Sequence, residues 1–212
     1  MTKYVKAIIY STVALWAIIL MVSGQHPSSA LLRPLSTVTS AVVLLSVAFE
    51  LWLWKNPLFH GWLVKRPVIE GTWYAEIRSN WKDPTGANIP PIEGYVVIGQ
   101  TLLNLNLRLM TNESSSHLVG TEIVCSADGL YYVSGVYQNE PRYQDRAHSQ
   151  IHFGAVWLRV IDKPTQILDG HYWTDRNTAG EMHLTERQKR KFQDFKSAQA
   201  YYAQLPITKK HQ

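Results

Sequence analysis

Near the C-terminus, the stretch GHYWTDRNTAGEM, Gly170 to Met182, sets His171, Tyr172 and Trp173 beside Asp175, Arg176 and Glu181 around a turn. Asp169, Asp175 and Glu181 could form a carboxylate group, but acids beside turns are usually solvated. Binding suits the residue types better. Arginine forks onto phosphate oxygens, and aromatic faces stack on bases. Upstream segments add Tyr74, Asn104, Asn106, Tyr131, Tyr137 and His152, together with two more arginines, Arg78 and Arg108. Arg78, Arg108 and Arg176 are the phosphate candidates. Tyr74, Tyr131, Tyr137, Tyr172 and Trp173 are the stacking candidates. From residue types alone a nucleotide and a lipid-like apolar ligand both remain open, since small barrels often hold one ligand.

Motifs of catalysis do not appear. The chain has no HExxH, no GxSxG, no phosphate-binding loop and no dinucleotide fingerprint. Its histidines at 117, 148, 152, 171 and 183 are scattered, although His171 and His183 are candidates to face each other across a hairpin. The single cysteine, Cys125, excludes an internal disulfide and a Cys-rich zinc site. No catalytic residue, resident cofactor or metal is therefore expected.

Short strands must position these side chains. GTWYAEIRSNW alternates, with Trp73, Ala75 and Ile77 on one face and Tyr74, Glu76 and Arg78 on the other. LLNLNLRLM repeats the period-two pattern, and KDPTGANIPPIEG forms a long loop before it. Ala127-Asp128-Gly129 marks a hairpin, and a second hairpin joins TQILDGHYWTD to GEMHLTER. About eight strands follow one another without a helical crossover, which points to an antiparallel barrel or sandwich. Thr185-x-x-Gln188 has the form of a capping box, so a helix is expected over about 186–204. The soluble domain is thus placed at 67–212, with the barrel as its body.

The first third differs in kind. Ala7–Val22 is 16 residues without a charge and Leu35–Phe49 is another 15. Crossing about 30 Å of hydrocarbon takes about 20 helical residues, which these runs reach only with their flanks. A transmembrane hairpin is expected at 1–60, with spans at about 4–23 and 35–54. Residues 1–66 carry six basic residues and one acid, whereas Pro67 onward holds 15 of each. The excess of positive charge therefore flanks the spans and implies cytoplasmic termini; it is no sign of DNA or RNA polymer binding. Thr39, Val43, Ser46 and Glu50 fall on one helical stripe that could pair helices inside lipid.

In order and architecture the chain resembles a known family. The GTW strand opening after the paired apolar runs, VIEGTWYAEIRSNW, and the late LDGHYWTDRNTAGEMHLTER hairpin carry the resemblance. The family is that of the two-transmembrane, STING-like minimal-barrel membrane effectors of bacterial cyclic-oligonucleotide anti-phage signalling (CBASS). The resemblance implies an N-terminal two-helix transmembrane hairpin followed by a small antiparallel eight-stranded β-barrel with a C-terminal helix. It implies a cyclic dinucleotide as activating ligand, made by a partner nucleotidyltransferase, and homo-oligomers on binding. It further implies disruption of the bacterial inner membrane through the gathered helices, and abortive infection.

Overall fold

A computed structural model describes residues 3–23, 32–60, 63–83, 85–146, 149–161 and 166–205. The chain divides into two compact units, Met1–Lys65 and Arg66–Gln212.

The first unit contains α1 (Lys3–Ser23) and α2 (Leu32–Leu51), followed by a short 3-10 turn at Leu53–Lys55. Trp54 is buried, and Phe59 meets Phe49 edge to face at 5.4 Å. Among the described residues no helix is long and apolar enough to cross a membrane. That finding corrects the expected transmembrane hairpin with spans at 4–23 and 35–54. The reading as a two-transmembrane membrane effector, disruption of the inner membrane through gathered helices, the inner-membrane position, the cytoplasmic placement of both termini, the bilayer as partner and pairing of the Thr39–Glu50 stripe inside lipid all rested on those spans and fall with them. The uncharged stretch within each helix supplies the reason, since α1 and α2 themselves run to 21 and 20 residues. At 1.5 Å per residue the two uncharged runs rise only about 24 and 22 Å, short of about 30 Å of hydrocarbon. The second run carries Ser36, Thr37, Thr39, Ser40 and Ser46, and α2 ends at Leu51 before the LWLW segment is complete. The expected hairpin loop between the helices lies at residues 24–31, outside the described residues.

The second unit is a closed antiparallel barrel of eight strands in sequence order. These are β1 (Gly71–Ser79), β2 (Ile92–Gln100), β3 (Leu105–Thr111), β4 (Ser114–Cys125), β5 (Tyr131–Pro141), β6 (His152–Ile161), β7 (Ile167–Thr174) and β8 (Ala179–Gln188). The period-two alternation sends the apolar set inward. Trp73, Ala75 and Ile77 of β1 join Leu105 and Leu107 of β3 in one core cluster within the barrel. Turn chemistry sets the registers. Gly129 takes φ +83° in the turn between β4 and β5, and its N–H donates to Ser126 O at 3.0 Å.

One end of the barrel is plugged. Buried Gln100 accepts from Ile69 N at 2.8 Å and donates to Pro67 O at 2.9 Å. The Trp73 indole N–H donates to Ile69 O at 2.9 Å, and Arg187 donates to Glu70 O and Val68 O at 2.8 and 2.7 Å. The segment entering β1 is thereby pinned against the core, with Ile69 fully buried.

After β8 the chain packs α3 (Phe195–Tyr202) against the outer wall, where Phe195, Ala198 and Tyr202 cover Tyr95 and Met110. The helix starts later than about 186. Thr185 pairs with Tyr74 in the β1–β8 ladder, and Glu186 at φ +51° lies in the irregular stretch of that ladder rather than in a first helical turn. Asp194 is the cap instead, accepting from Ser197 N at 2.9 Å and Ser197 Oγ at 2.6 Å. The Ser197 hydroxyl and backbone N–H hold its carboxyl below the usual range.

Trp73 fills the core, whereas Trp173 points outward and stays 47% exposed. Trp73→Ala should lower unfolding stability by about 3–5 kcal/mol, and Trp173→Ala by less than about 1 kcal/mol. Urea unfolding of both variants checks the difference.

Candidate functional site

The end of the barrel opposite the plug is open. There a cavity of about 910 Å³ opens from the lumen and runs over the rim as far as Phe195 and Gln199 of α3, and its whole volume is within the size range of single-ligand sites. Its floor is apolar, formed by Ile77, Val96, Leu107, Val156, Leu158 and Met182. These are the same inward positions that close-pack further down. Around the mouth the lining turns polar, with Ser114, Ser116, Asn139, Ser149, Thr174 and Thr178. Ile89, Pro90 and Pro91 of the β1–β2 loop overhang one side. Asp83 shapes that loop by accepting from Thr85 N and Ala87 N at 2.8 and 3.0 Å.

Two tyrosines furnish the aromatic wall. Tyr137 of β5 lies opposite Gly154 in the register, and Tyr172 of β7 lies opposite Gly180. Neither neighbour has room for a side chain. A β-carbon at Gly154 would stand 2.4 Å from the Tyr137 ring, and one at Gly180 would stand 2.7 Å from the Tyr172 ring. The two rings therefore rest on bare backbone of the next strand and stay inside the lumen. Burial raises the Tyr137 hydroxyl pKa above its ordinary value, with Tyr172 and Asp175 adding to it, so the group is a neutral donor at neutral pH.

Arg176 stands at the mouth, on the β7–β8 turn. Its Nη1 donates to Ser149 Oγ at 3.1 Å and to Gln150 O at 3.4 Å, and lies 3.4 Å from His152 Nδ1. These partners aim the guanidinium across the opening and leave it exposed.

Of the phosphate and stacking candidates, Tyr137, Tyr172 and Arg176 share this cavity, and His152, also singled out in the sequence, lines it as well. Tyr131 also faces inward but lies toward the plugged end, packed on the core; burial raises its hydroxyl pKa, with Cys125 contributing. The other four sit on the outer wall. Tyr74 packs beneath α3, 6.0 Å from Tyr95 and 6.4 Å from Tyr202, and burial beside Glu93 raises its pKa. Arg78 pairs with Glu76 at 2.8 Å, Arg108 donates to Phe192 O at 2.8 Å, and Trp173 lies 5.8 Å from His171. His171 and His183 do not face each other. His171 is opposite Glu181 and His183 is opposite Asp169, with His183 Nδ1 3.0 Å from Asp169 Oδ1. His148 lies outside the described residues.

Ser116 and Asn139 were missed by reasoning from residue type. Both are buried at the cavity wall, and the Ser116 hydroxyl donates to Asn139 Oδ1 at 2.7 Å. Their signal was phase: Asn139 is two residues from Tyr137, on the same face of β5.

A family model described as "Cap15, cyclic dinucleotide receptor domain" matches residues 64–186. Two curated relatives share the printed description "CD-NTase-associated protein 15". The Escherichia albertii protein is 26% identical over 173 residues, covering 73% of this chain and 81% of its own length. The Staphylococcus schleiferi protein is 25% identical over 175 residues, covering 82% of this chain and 90% of its own.

Gly154→Ala should destabilise the barrel by about 1–3 kcal/mol, since its methyl would overlap both the Tyr137 ring and a neighbouring carbonyl. Gly120→Ala, where nothing lies within 4 Å of the added carbon, should change stability by under about 0.5 kcal/mol. Chemical denaturation of the pair, with near-ultraviolet circular dichroism reporting the tyrosines, checks this.

Proposed function

Since this chain belongs to the Cap15 cyclic-dinucleotide receptor family, a family of ligand-binding and non-catalytic domains, we propose that its open-ended lumen binds a cyclic dinucleotide as an activating signal. One observation carries the proposal: a cavity of about 910 Å³ that brings two ring faces and one guanidinium together over an apolar floor. Tyr137 and Tyr172 offer faces on which bases stack, and Arg176 offers a fork to a phosphate at the solvent side. A cyclic dinucleotide has both chemistries in one compact ring, with bases to bury and phosphates to keep near water. The ligand would be made by a partner CD-NTase, in keeping with the relatives' description, and the chain would act as the receptor of a CD-NTase-linked antiviral defence system.

The apolar floor lends some support to a lipid-like ligand. A wholly apolar ligand, however, makes no use of the arginine and hydroxyl groups gathered at the mouth. Arg78 and Arg108 stand on the outer wall with protein partners, so Arg176 is the phosphate contact in this reading.

Calorimetric titration of the full-length chain with a panel of cyclic dinucleotides tests the proposal. One member should bind saturably. Arg176→Ala should weaken it roughly 10- to 100-fold, the span of a charge-assisted hydrogen bond, whereas Arg78→Ala and Arg108→Ala should leave it within about threefold. Failure of a folded protein to bind any member, with binding of a fatty-acid probe, would overturn the nucleotide reading in favour of the lipid-like one.

A further inference from the structure

Four polar side chains are buried among the described residues: Thr72, Gln100, Ser116 and Asn139. Thr72 donates to Arg190 O at 2.7 Å, and Gln100 spends its amide on the backbone of residues 67 and 69. Both are accounted for by the fold. Ser116 gives its hydroxyl proton to Asn139. Asn139 is different. Its carbonyl oxygen accepts from Ser116, yet its Nδ2 makes no hydrogen bond to any described residue while the side chain lines the cavity. The side chain is buried as a whole, with its NH₂ end opening onto the cavity instead of onto the wall.

We infer that the Asn139 amide reads one base of the bound ligand, donating from Nδ2 to an acceptor atom of that base. The inference rests on the cyclic-dinucleotide reading and deepens it. Position on the strand supports it. Asn139 is one pleat nearer the mouth than Tyr137, about 6.8 Å along β5, so a base lying on the Tyr137 ring turns its edge toward Asn139. Ser116 is a positioning residue. Asn139 is opposite Ser116 on one side and His152 on the other in the barrel register, and the Ser116 hydroxyl holds the amide oxygen toward the wall. With the oxygen on Ser116, the NH₂ group faces the cavity. The site thus presents donors where a base carries ring nitrogen or carbonyl oxygen, and selectivity among ligands follows from which acceptor reaches that point.

Ligand analogues can test this without relying on a variant of a buried residue. Full-length protein is titrated with the tightest-binding cyclic dinucleotide and with analogues of it in which each base acceptor in turn is replaced by a C–H or C–H₂ group. One replacement should cost about tenfold in affinity, and the same replacement should cost nothing further in Asn139→Ala. Ser116→Ala, which removes the amide's partner on the wall, should lose about threefold and show a reduced response to that analogue. Thermal melting of both variants controls for folding. If every analogue binds wild-type protein as the parent does, or if the sensitive analogue loses as much in a folded Asn139→Ala, the assignment to Asn139 is wrong while the receptor reading stands. If no cyclic dinucleotide binds the wild-type protein, both fall.

Discussion

Pairing of β1 with β8 is the constraint on which the second unit, Arg66–Gln212, depends. Seven residue pairs run from Thr72 opposite Gln188 to Ser79 opposite Gly180, and they convert a meander of hairpins into a sheet without edges. Closure leaves no exposed ladder to satisfy. It also makes inside and outside two different solvents along every strand. Trp73, Ala75 and Ile77 can be inward only because Tyr74, Glu76 and Arg78 are outward. The β1–β8 ladder also holds the chain straight through Thr185, which delays α3 until Asp194 can cap it.

A closed barrel of this size can be filled or hollow, and this one is both. At one end Ile69, Trp73, Leu168 and Leu184 are fully buried, beneath a strap fixed by Gln100 and Arg187. At the other end the inward positions become Tyr137, Asn139, Tyr172, Thr174 and, on two strands, glycine. Replacing side chains by Gly154 and Gly180 opens volume and lets each tyrosine lie against a neighbouring strand. The same alternation that packs a core thereby produces a cavity with a dry floor and a polar mouth.

Much of the fold was legible along the chain. Leucines at 105, 107 and 109, the Ala-Asp-Gly turn and the absence of helical crossovers point to about eight antiparallel strands in a barrel or a sandwich, and closure as a barrel is seen only in the structure. The site was legible only in part. Arginine and tyrosine identify the chemistry, but their strand phase must be compared across all eight strands before inside is known. Arg78 and Arg108 are out of phase with the lumen; Tyr137 and Tyr172 are in phase. Asn139 carries no distinguishing composition at all, and only its phase marks it. At the N-terminus, apolar runs that need their flanks to reach membrane thickness gave an expectation of two spans that the helices as described do not meet.

What the sequence alone determined is local: where the backbone alternates, where it turns, and which stretches lack charge. Those follow from propensity and period, which act over a few residues. The tertiary structure decided which face is the lumen, which end is plugged, and which of three arginines stands at an opening. These outcomes depend on closure and register between strands far apart in the chain. The β1–β8 register sets Arg78 opposite Glu181 on the outer wall, while the β7–β8 turn carries Arg176 to the mouth beside Ser149. Contacts between residues a hundred positions apart are fixed by packing and hydrogen bonding over the whole barrel, and no local pattern contains them.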